Sequence, residues 1–173
     1  MAYCPITLAG ISLDCENNKG GIKTVYIAPY GDVTVKVDTE TGKVSSIDMA
    51  EGAKFKTYQF RKNTGSMTST LTADETNGLN YVTTELSLVF TKMNTAKRLE
   101  MTALSLGQLA VIVLDSNGVY WYITPDDYAS ASAGTGETGT AKGDRNGYTL
   151  TLSVENDSYP VEIDEEKVLG VIE

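Results

Sequence analysis

Short segments in which apolar and polar residues alternate dominate this sequence and limit what it can fold into. Val33, Val35 and Val37 are separated by polar residues, and residues 148–154 repeat the pattern. A period of two places alternate side chains on opposite faces of a β-strand. The sequence therefore predicts a mainly β fold, with strands at residues 23–28, 33–37, 43–49, 54–62, 66–73, 80–92, 109–114, 119–124, 148–154 and 168–172.

The pair Asn77-Gly78 marks a tight turn between residues 66–73 and 80–92. Asn-Gly is a strong hairpin signal because both residues tolerate positive φ angles. We therefore expect a long β-hairpin, which residues 54–62 extend into a three-stranded meander. The return strand has a core face and a polar face: Val82, Leu86, Leu88 and Phe90 lie on the first, and Tyr81, Thr83, Glu85 and Ser87 on the second.

A second Asn-Gly pair, Asn117-Gly118, predicts a hairpin between residues 109–114 and 119–124. Residues 109–114 are apolar without interruption, which indicates a strand buried on both faces. We place the centre of the core there.

One segment, residues 95–106, has the signals of an α-helix. Asn94 precedes it as an N-terminal cap and Gly107 follows it as a stop. Its apolar residues at helical spacing are Ala96, Leu99, Ala103 and Leu106. The fold class that we predict is a β-sandwich or half-barrel with one flanking α-helix, a long β-hairpin and a long flexible loop.

The chain of 173 residues has the size of one domain, which we place at residues 22–173, after an N-terminal arm at residues 1–21. Residues 125–147 are mostly Ala, Ser, Gly and Thr, and we interpret them as the flexible loop. Cys4 and Cys15 fit either two free thiols or a disulfide that ties down the arm.

Composition argues against catalysis. The chain contains no histidine, the residue best suited to exchange protons near neutral pH and the commonest metal ligand. The Gly-rich run at 134–139 has neither the preceding buried strand nor the following helix of a dinucleotide site. We therefore expect no enzyme, cofactor or metal site, and hence no catalytic, cofactor-binding or metal-binding residues.

Charge and hydropathy limit the partners. The net charge of -9 argues against a broad nucleic-acid-binding face, since that affinity comes from Lys and Arg at phosphates. The chain also has no apolar run of the roughly 20 residues needed to span a bilayer. Neither specific DNA binding nor membrane insertion is expected.

The stretch GTAKGDRNGYTLTL at residues 139–152 looks like the Gly, Asp, Asn-Gly-Tyr-Thr-Leu-Thr pattern of phage virion structural proteins. With its order of elements, the chain resembles phage tail tube proteins. The resemblance implies stacked, hexameric rings assembled in the host cytoplasm and located in the virion. It implies homo-oligomer contacts, contacts with other tail or virion proteins, and DNA as passive cargo in the lumen.

Residues 66–73 are too polar for a core strand and too β-prone for a loop, so they should find backbone partners at a subunit edge. We expect proline at Thr68 or Thr70 to spare the monomer and block assembly. The subunit interface that we predict comprises Tyr58, Phe60, Met67, Thr68, Thr70, Tyr81, Thr83 and Glu85.

Two other classes of function remain open. One is another virion part, such as a tail terminator or a capsid decoration protein. The other is a monomeric β-sandwich that binds carbohydrate or protein through exposed aromatic residues. The tyrosines available for such binding are Tyr26, Tyr30, Tyr58, Tyr81, Tyr120 and Tyr122.

Overall fold

The computed structural model describes residues 5–173, so Cys4, and with it the predicted alternative of a disulfide, lies outside the described residues. Cys15 is exposed and forms no disulfide with any residue of the described part of the chain. The elements are β1 (Ile22–Pro29), β2 (Val33–Val37), β3 (Val44–Met49), β4 (Lys56–Gln59), β5 (Ser66–Asp74), β6 (Leu79–Thr91), α1 (Thr95–Leu106), β7 (Leu109–Asp115), β8 (Tyr120–Tyr122), β9 (Ser130–Glu137), β10 (Gly147–Asn156), β11 (Val161–Ile163) and α2 (Glu165–Leu169), with a 3-10 turn at Tyr30–Asp32.

These strands form three antiparallel sheets. A five-stranded sheet has the order β11-β8-β7-β1-β4, a four-stranded sheet has the order β5-β6-β10-β9, and β2 pairs with β3 alone. The predicted mainly β, sandwich-like fold is confirmed. Both predicted Asn-Gly hairpins are present, as β5–β6 and β7–β8.

The main core lies between the five-stranded and four-stranded sheets. Val25 and Val111 face it from the first sheet, and Leu86 and Leu152 from the second, all nearly or fully buried. Leu104 of α1 closes the same cluster. Burial of branched and aromatic side chains on facing sheets is the main favourable term in this fold.

A second core lies on the other face of the five-stranded sheet, so β7 is buried on both faces, as predicted. Tyr122 and Ile112 of the sheet pack there against Phe55 and Val168. The layer is held at its rim by Lys43, whose Nζ lies 2.6 Å from Glu162 Oε1. The β2–β3 hairpin and α2 therefore form a third, outer layer.

Helix α1 has the predicted limits, and Asn94 Oδ1 accepts a hydrogen bond from the Lys97 amide at 2.8 Å. Its buried face is different from the prediction. Leu104 points into the core, whereas Leu99 and Leu106 are 56% and 83% exposed. The side that packs against the core carries Leu104 and the partly buried Met101, so contact with the sandwich, and not the longer apolar stripe, decides which side is buried.

The predicted three-stranded meander is wrong. Strand β4 pairs with β1 in the five-stranded sheet, whereas β5 pairs with β6 in the other sheet. Between them the chain crosses from one sheet to the other through residues 60–65. Strands adjacent in sequence often pair, but β4 pairs instead with the more apolar β1.

The loop predicted at residues 125–147 is wrong over residues 130–137, which form β9 along β10. Small residues bury little surface, but their backbones pair as well as any others. The strand predicted at residues 168–172 is also wrong, since residues 165–169 form α2, a helix that the sequence did not predict. Ile172 alone makes a β-bridge, with Phe55.

Gly147→Ala is expected to destabilise the protein by about 1–3 kcal/mol, the usual cost of overpacking. A Cβ at Gly147 would lie 2.1 Å from the carbonyl oxygen of Phe90, a backbone atom of the β6–β10 pairing. Gly143→Ala is the matched control, because no atom lies within 4 Å of its Cβ position. Urea denaturation followed by circular dichroism measures both, and equal midpoints would contradict the close approach.

Candidate assembly surface

The four-stranded sheet has an open edge on each side. Among residues 5–173, strand β5 pairs only with β6, and β9 pairs along its length only with β10. Seven of the eight β9 residues are exposed. Such edges present unpaired N–H and C=O groups in a row, which is a template for another strand.

The five-stranded sheet, in contrast, has partly covered edges. At Phe55, the residue before β4, the amide donates to the Val171 carbonyl at 2.9 Å and the carbonyl accepts from the Glu173 amide at 3.1 Å; within β4, the Thr57 hydroxyl donates to the Glu173 carbonyl at 3.3 Å. At the other edge, β11 lies against β3, with Glu162 paired to Lys43. The chain thus covers part of each edge of one sheet and leaves those of the other open.

Neither open edge has the residues that usually prevent edge pairing. Proteins protect exposed edge strands with proline, lysine or inward-pointing charges. Strand β5 reads SMTSTLTAD and β9 reads SASAGTGE. Both are uncharged up to their last residue, so no charge within either strand repels an added strand. Strand β9 also contacts α1.

The direction of the backbone amides follows from one hydrogen bond at the end of β6. The Lys92 amide donates to the Asn146 carbonyl at 2.7 Å, next to the Thr91–Gly147 pair. Along an antiparallel strand, amides point to alternate sides. Even-numbered residues of β6 therefore face β10, and odd-numbered residues face β5.

On β5, Thr68 and Thr70 pair with the odd-numbered Glu85 and Thr83, so their amides bond within the protomer. The alternating residue Leu71 points its amide to the open edge. Proline at Thr68 or Thr70 would therefore break the internal ladder, and the prediction that it spares the monomer is corrected. Leu71 is the position where proline removes an outward amide.

The structure brings together five of the eight predicted interface residues. By register, Thr68, Thr70, Tyr81, Thr83 and Glu85 share the face of the four-stranded sheet that points away from the core, which we call the open face. Met67 lies on the opposite, core-facing side of β5 and packs against the main core.

Tyr58 and Phe60 lie elsewhere, beside α1. The Tyr58 hydroxyl donates to a Glu100 carboxylate oxygen, and its ring centroid lies 6.3 Å from that of Phe90. Burial, and then the negative charge of Glu100, raise the pKa of Tyr58. Both residues thus pack within the protomer, in line with the position of β4 in the other sheet.

The open face is polar and acidic. Its described residues on the four strands are mostly Thr and Ser, with Glu85, Glu155 and Glu137 among them and no lysine or arginine. Glu137 is paired with Arg145 of the following loop. The excess negative charge of the chain is thus present on this face, where it repels phosphates.

Sequence reasoning missed β9, the second open edge. Its residues alternate serine or threonine with alanine or glycine, which is a period of two, but without the apolar residues that make the period recognisable. On β9, Thr135 pairs with Thr149 of β10, so the amides of the flanking Gly134 and Gly136 point outward.

Other kinds of site find little support in the described part of the chain. No group of three or more histidine, cysteine or acidic side chains within residues 5–173 is arranged to hold a metal ion. Over the same residues, neither helix has the length and hydropathy required to cross a membrane.

No family model, no curated protein and no solved structure matches this chain.

Proposed function

We propose that this chain is a structural, non-catalytic subunit of a phage-like tail tube. Copies join side by side when β5 of one pairs with β9 of the next, and the resulting rings stack into a conduit for DNA. The observation that carries the proposal is the four-stranded sheet with two edges that lack protecting residues, in a protein that covers part of each edge of its other sheet.

The strand directions support this junction. The four strands are antiparallel throughout, so β5 and β9, at the two edges, run in opposite directions. Rotation about a ring axis keeps each strand's direction, and β9 of one copy therefore meets β5 of its neighbour antiparallel. The strands have nine and eight residues, so almost their full lengths can pair.

A contact of this kind is heterologous, because two different edges meet. Heterologous contacts produce a ring when the rotation closes, and they satisfy both edges of every copy. Six four-stranded sheets, the number implied by the resemblance, at a spacing of about 4.8 Å give a barrel about 37 Å across before strand tilt widens it.

The open face suits the wall of a DNA conduit. The main core covers the other face of the four-stranded sheet, so the open face lines the lumen of a barrel built in this way. Lysine and arginine retain DNA through its phosphates. A wall of Thr, Ser and Glu leaves the DNA free to move.

Leu71→Pro is expected to abolish ring formation and leave a folded monomer. The substitution removes an outward amide from the centre of the proposed seam and leaves the internal ladder intact. Leu71→Ala keeps the amide and is the matched control, which should still form rings. Thr70→Pro should instead destabilise the monomer. Sedimentation velocity measures assembly, and circular dichroism measures folding.

Negative-stain microscopy of the wild type separates the alternatives. Tubes of constant width support the proposal. Closed single rings would favour a tail terminator, and monomers under all conditions would favour a binding module. Rings that persist in Leu71→Pro would show that β5 is not the seam.

Half of the six tyrosines proposed for a binding module are not exposed. Tyr26, Tyr120 and Tyr122 are all buried, with exposures of 7%, 7% and 2%. Stacking on sugars requires accessible ring faces. We therefore favour the tube subunit over the binding module.

A further inference from the structure

A groove runs along the second open edge, between α1 and the core-facing side of β9. Met101, Thr102 and Ser105 lie on its helix wall, and Gly134 and Gly136 lie on its strand wall. Its volume is about 420 Å³, and it opens to solvent at the edge of the sheet. Any strand that pairs with β9 must therefore lie beside this groove.

The groove exists because β9 lacks side chains at two successive core-facing positions. By register, Gly134 lies opposite Leu150 of β10, and Gly136 lies opposite Tyr148. Both β10 residues also line the groove. Larger residues at the two glycine positions would fill the space between the strand and the helix.

Within residues 5–173, one of these glycines has a steric reason and the other has none. A Cβ at Gly136 would lie 2.9 Å from Tyr148 Cε1. At Gly134 the nearest atoms would be the Thr149 carbonyl oxygen at 3.6 Å and Leu150 Cδ1 at 3.8 Å, and its φ angle lies outside the left-handed region. A glycine inside a strand is less stable than alanine, and it is typical of a position that a ligand or another chain approaches closely.

The helix wall can accept an apolar side chain, because its hydroxyl groups already have partners. Thr102 Oγ1 donates to the Arg98 carbonyl at 3.0 Å, and Ser105 Oγ donates to the Thr102 carbonyl at 2.8 Å. A leucine against this wall would leave neither hydroxyl without a hydrogen bond. Among the described lining residues, Arg98 is the one charged side chain, and it is exposed, so its guanidinium can stay in water.

The other open edge carries an apolar side chain on the matching side. Leu71 alternates with Met67 and Ser69 on the core-facing side of β5, yet it is 49% exposed. Its partner on β6, Val82, is 1% exposed. The protomer thus covers Leu71 only in part.

Backbone geometry brings Leu71 and Gly134 together in the proposed seam. Leu71 on β5 and Gly134 on β9 both point their amides to an open edge. In an antiparallel pair, residues that exchange both hydrogen bonds lie directly opposite each other, with their side chains on one face. Leu71 opposite Gly134 would therefore project into the groove, and the two strands would overlap over most of their lengths.

We propose that this groove binds Leu71 of the neighbouring copy and thereby fixes the register of β5 against β9. The inference rests on the proposed function and adds a side-chain contact to the backbone seam. A second copy is the partner, because the same chain supplies a partly covered leucine at one edge and an unfilled groove at the other. Backbone pairing alone would permit a slip of two residues, which keeps every side chain on its face. A leucine in the groove permits one position.

Gly134→Leu tests the proposal by filling the groove from within the protomer. We expect a folded monomer, because the new Cβ would make only ordinary contacts and the groove has room for the rest of the side chain. The concentration at which rings form should rise at least about tenfold, since Leu71 of the neighbour would meet a filled space. Ala133→Leu is the matched control, because it enlarges the preceding residue, which lies on the open face. It should leave that concentration unchanged.

A double-mutant cycle identifies the side chain that enters the groove. Leu71→Ala should form rings, but at about five- to tenfold higher concentration, because less apolar surface becomes buried. Gly134→Leu with Leu71→Ala should form rings more readily than Gly134→Leu alone, since the new leucine then occupies the space of the old one. Sedimentation velocity over a concentration series measures ring formation, and circular dichroism measures folding.

The outcomes separate the side-chain contact from the seam. Rings of Gly134→Leu at the wild-type concentration would overturn the inference and leave the proposed pairing of β5 with β9 in place. A double variant no better than Gly134→Leu alone, or a Gly134→Leu monomer that does not fold, would also overturn it. A wild type that remains a monomer at all concentrations would overturn the proposed function, and the inference with it.

Discussion

Replacing Leu86 with aspartate is expected to leave the chain unfolded under conditions in which the wild type is folded. Leu86 is 0% exposed and sits in the main core between the two sheets. An ionised carboxylate there costs several kcal/mol in lost hydration, and loss of the leucine adds about 2–5 kcal/mol. Together these are comparable to the whole stability of a domain, about 5–15 kcal/mol.

Leu79→Asp is the matched control, because it makes the same change on the same strand where the side chain is 48% exposed. It should fold. Soluble yield and far-ultraviolet circular dichroism measure both variants. A folded Leu86→Asp protein would mean that the two sheets do not enclose this side chain, and the fold described above would be wrong.

Asn156→Ala is expected to destabilise the monomer by about 2–4 kcal/mol, since buried polar groups lose their partners. Asn156 is 3% exposed, and its Nδ2 donates to the Ile123 carbonyl at 2.9 Å. Its Oδ1 accepts from the amides of Asp126 and Asp127, both at 3.4 Å. One amide side chain thus joins β10 to the connection that leads into β9.

Asn80→Ala removes the same side chain from an exposed position on β6 and should change stability by less than about 0.5 kcal/mol. Urea denaturation gives the free energies of unfolding. Hydrogen exchange should also accelerate at the amides of Asp126 and Asp127 in Asn156→Ala. Equal stability of the two variants would show that the buried amide is dispensable.

Features that depend on residues close in the sequence could be predicted. The Asn-Gly turns of β5–β6 and β7–β8 and the limits of α1 follow from local signals, and the structure has them where expected. The alternation in residues 148–154 likewise predicted β10 correctly, with Leu150 and Leu152 buried.

Features that depend on distant partners could not be predicted. The pairing of β4 with β1 joins residues 29 to 35 positions apart, from Ile27–Lys56 to Thr24–Gln59, and nothing local to β4 indicates it. The face of α1 that becomes buried is likewise decided by the sandwich that it meets. Strand β9 can be recognised only by its pairing with β10, because its small side chains do not give the alternation of apolar and polar residues that is typical of a strand.

The same distinction applies to the candidate assembly surface. Thr68, Thr70 and Thr83 could be assigned to one face because a hairpin relates them by a simple register. The second edge could not be found without β9. The direction of the amides could be determined only from a hydrogen bond of the folded chain. That direction makes Leu71, and not Thr70, the position where proline tests the edge.

The even number of strands in the four-stranded sheet has a consequence for how wide such a tube can be. The proposed pairing of β5 with β9 is antiparallel for any number of copies. The pairing alone therefore does not fix how many subunits form a ring. In the ring that we propose, the curvature of each sheet sets that number. A bulge increases the local bend of a strand, and β9 has one extra residue opposite Thr151 and Leu152 of β10. Removing that residue is therefore expected to change the diameter of the proposed tube and to leave the pairing of β5 with β9 in place.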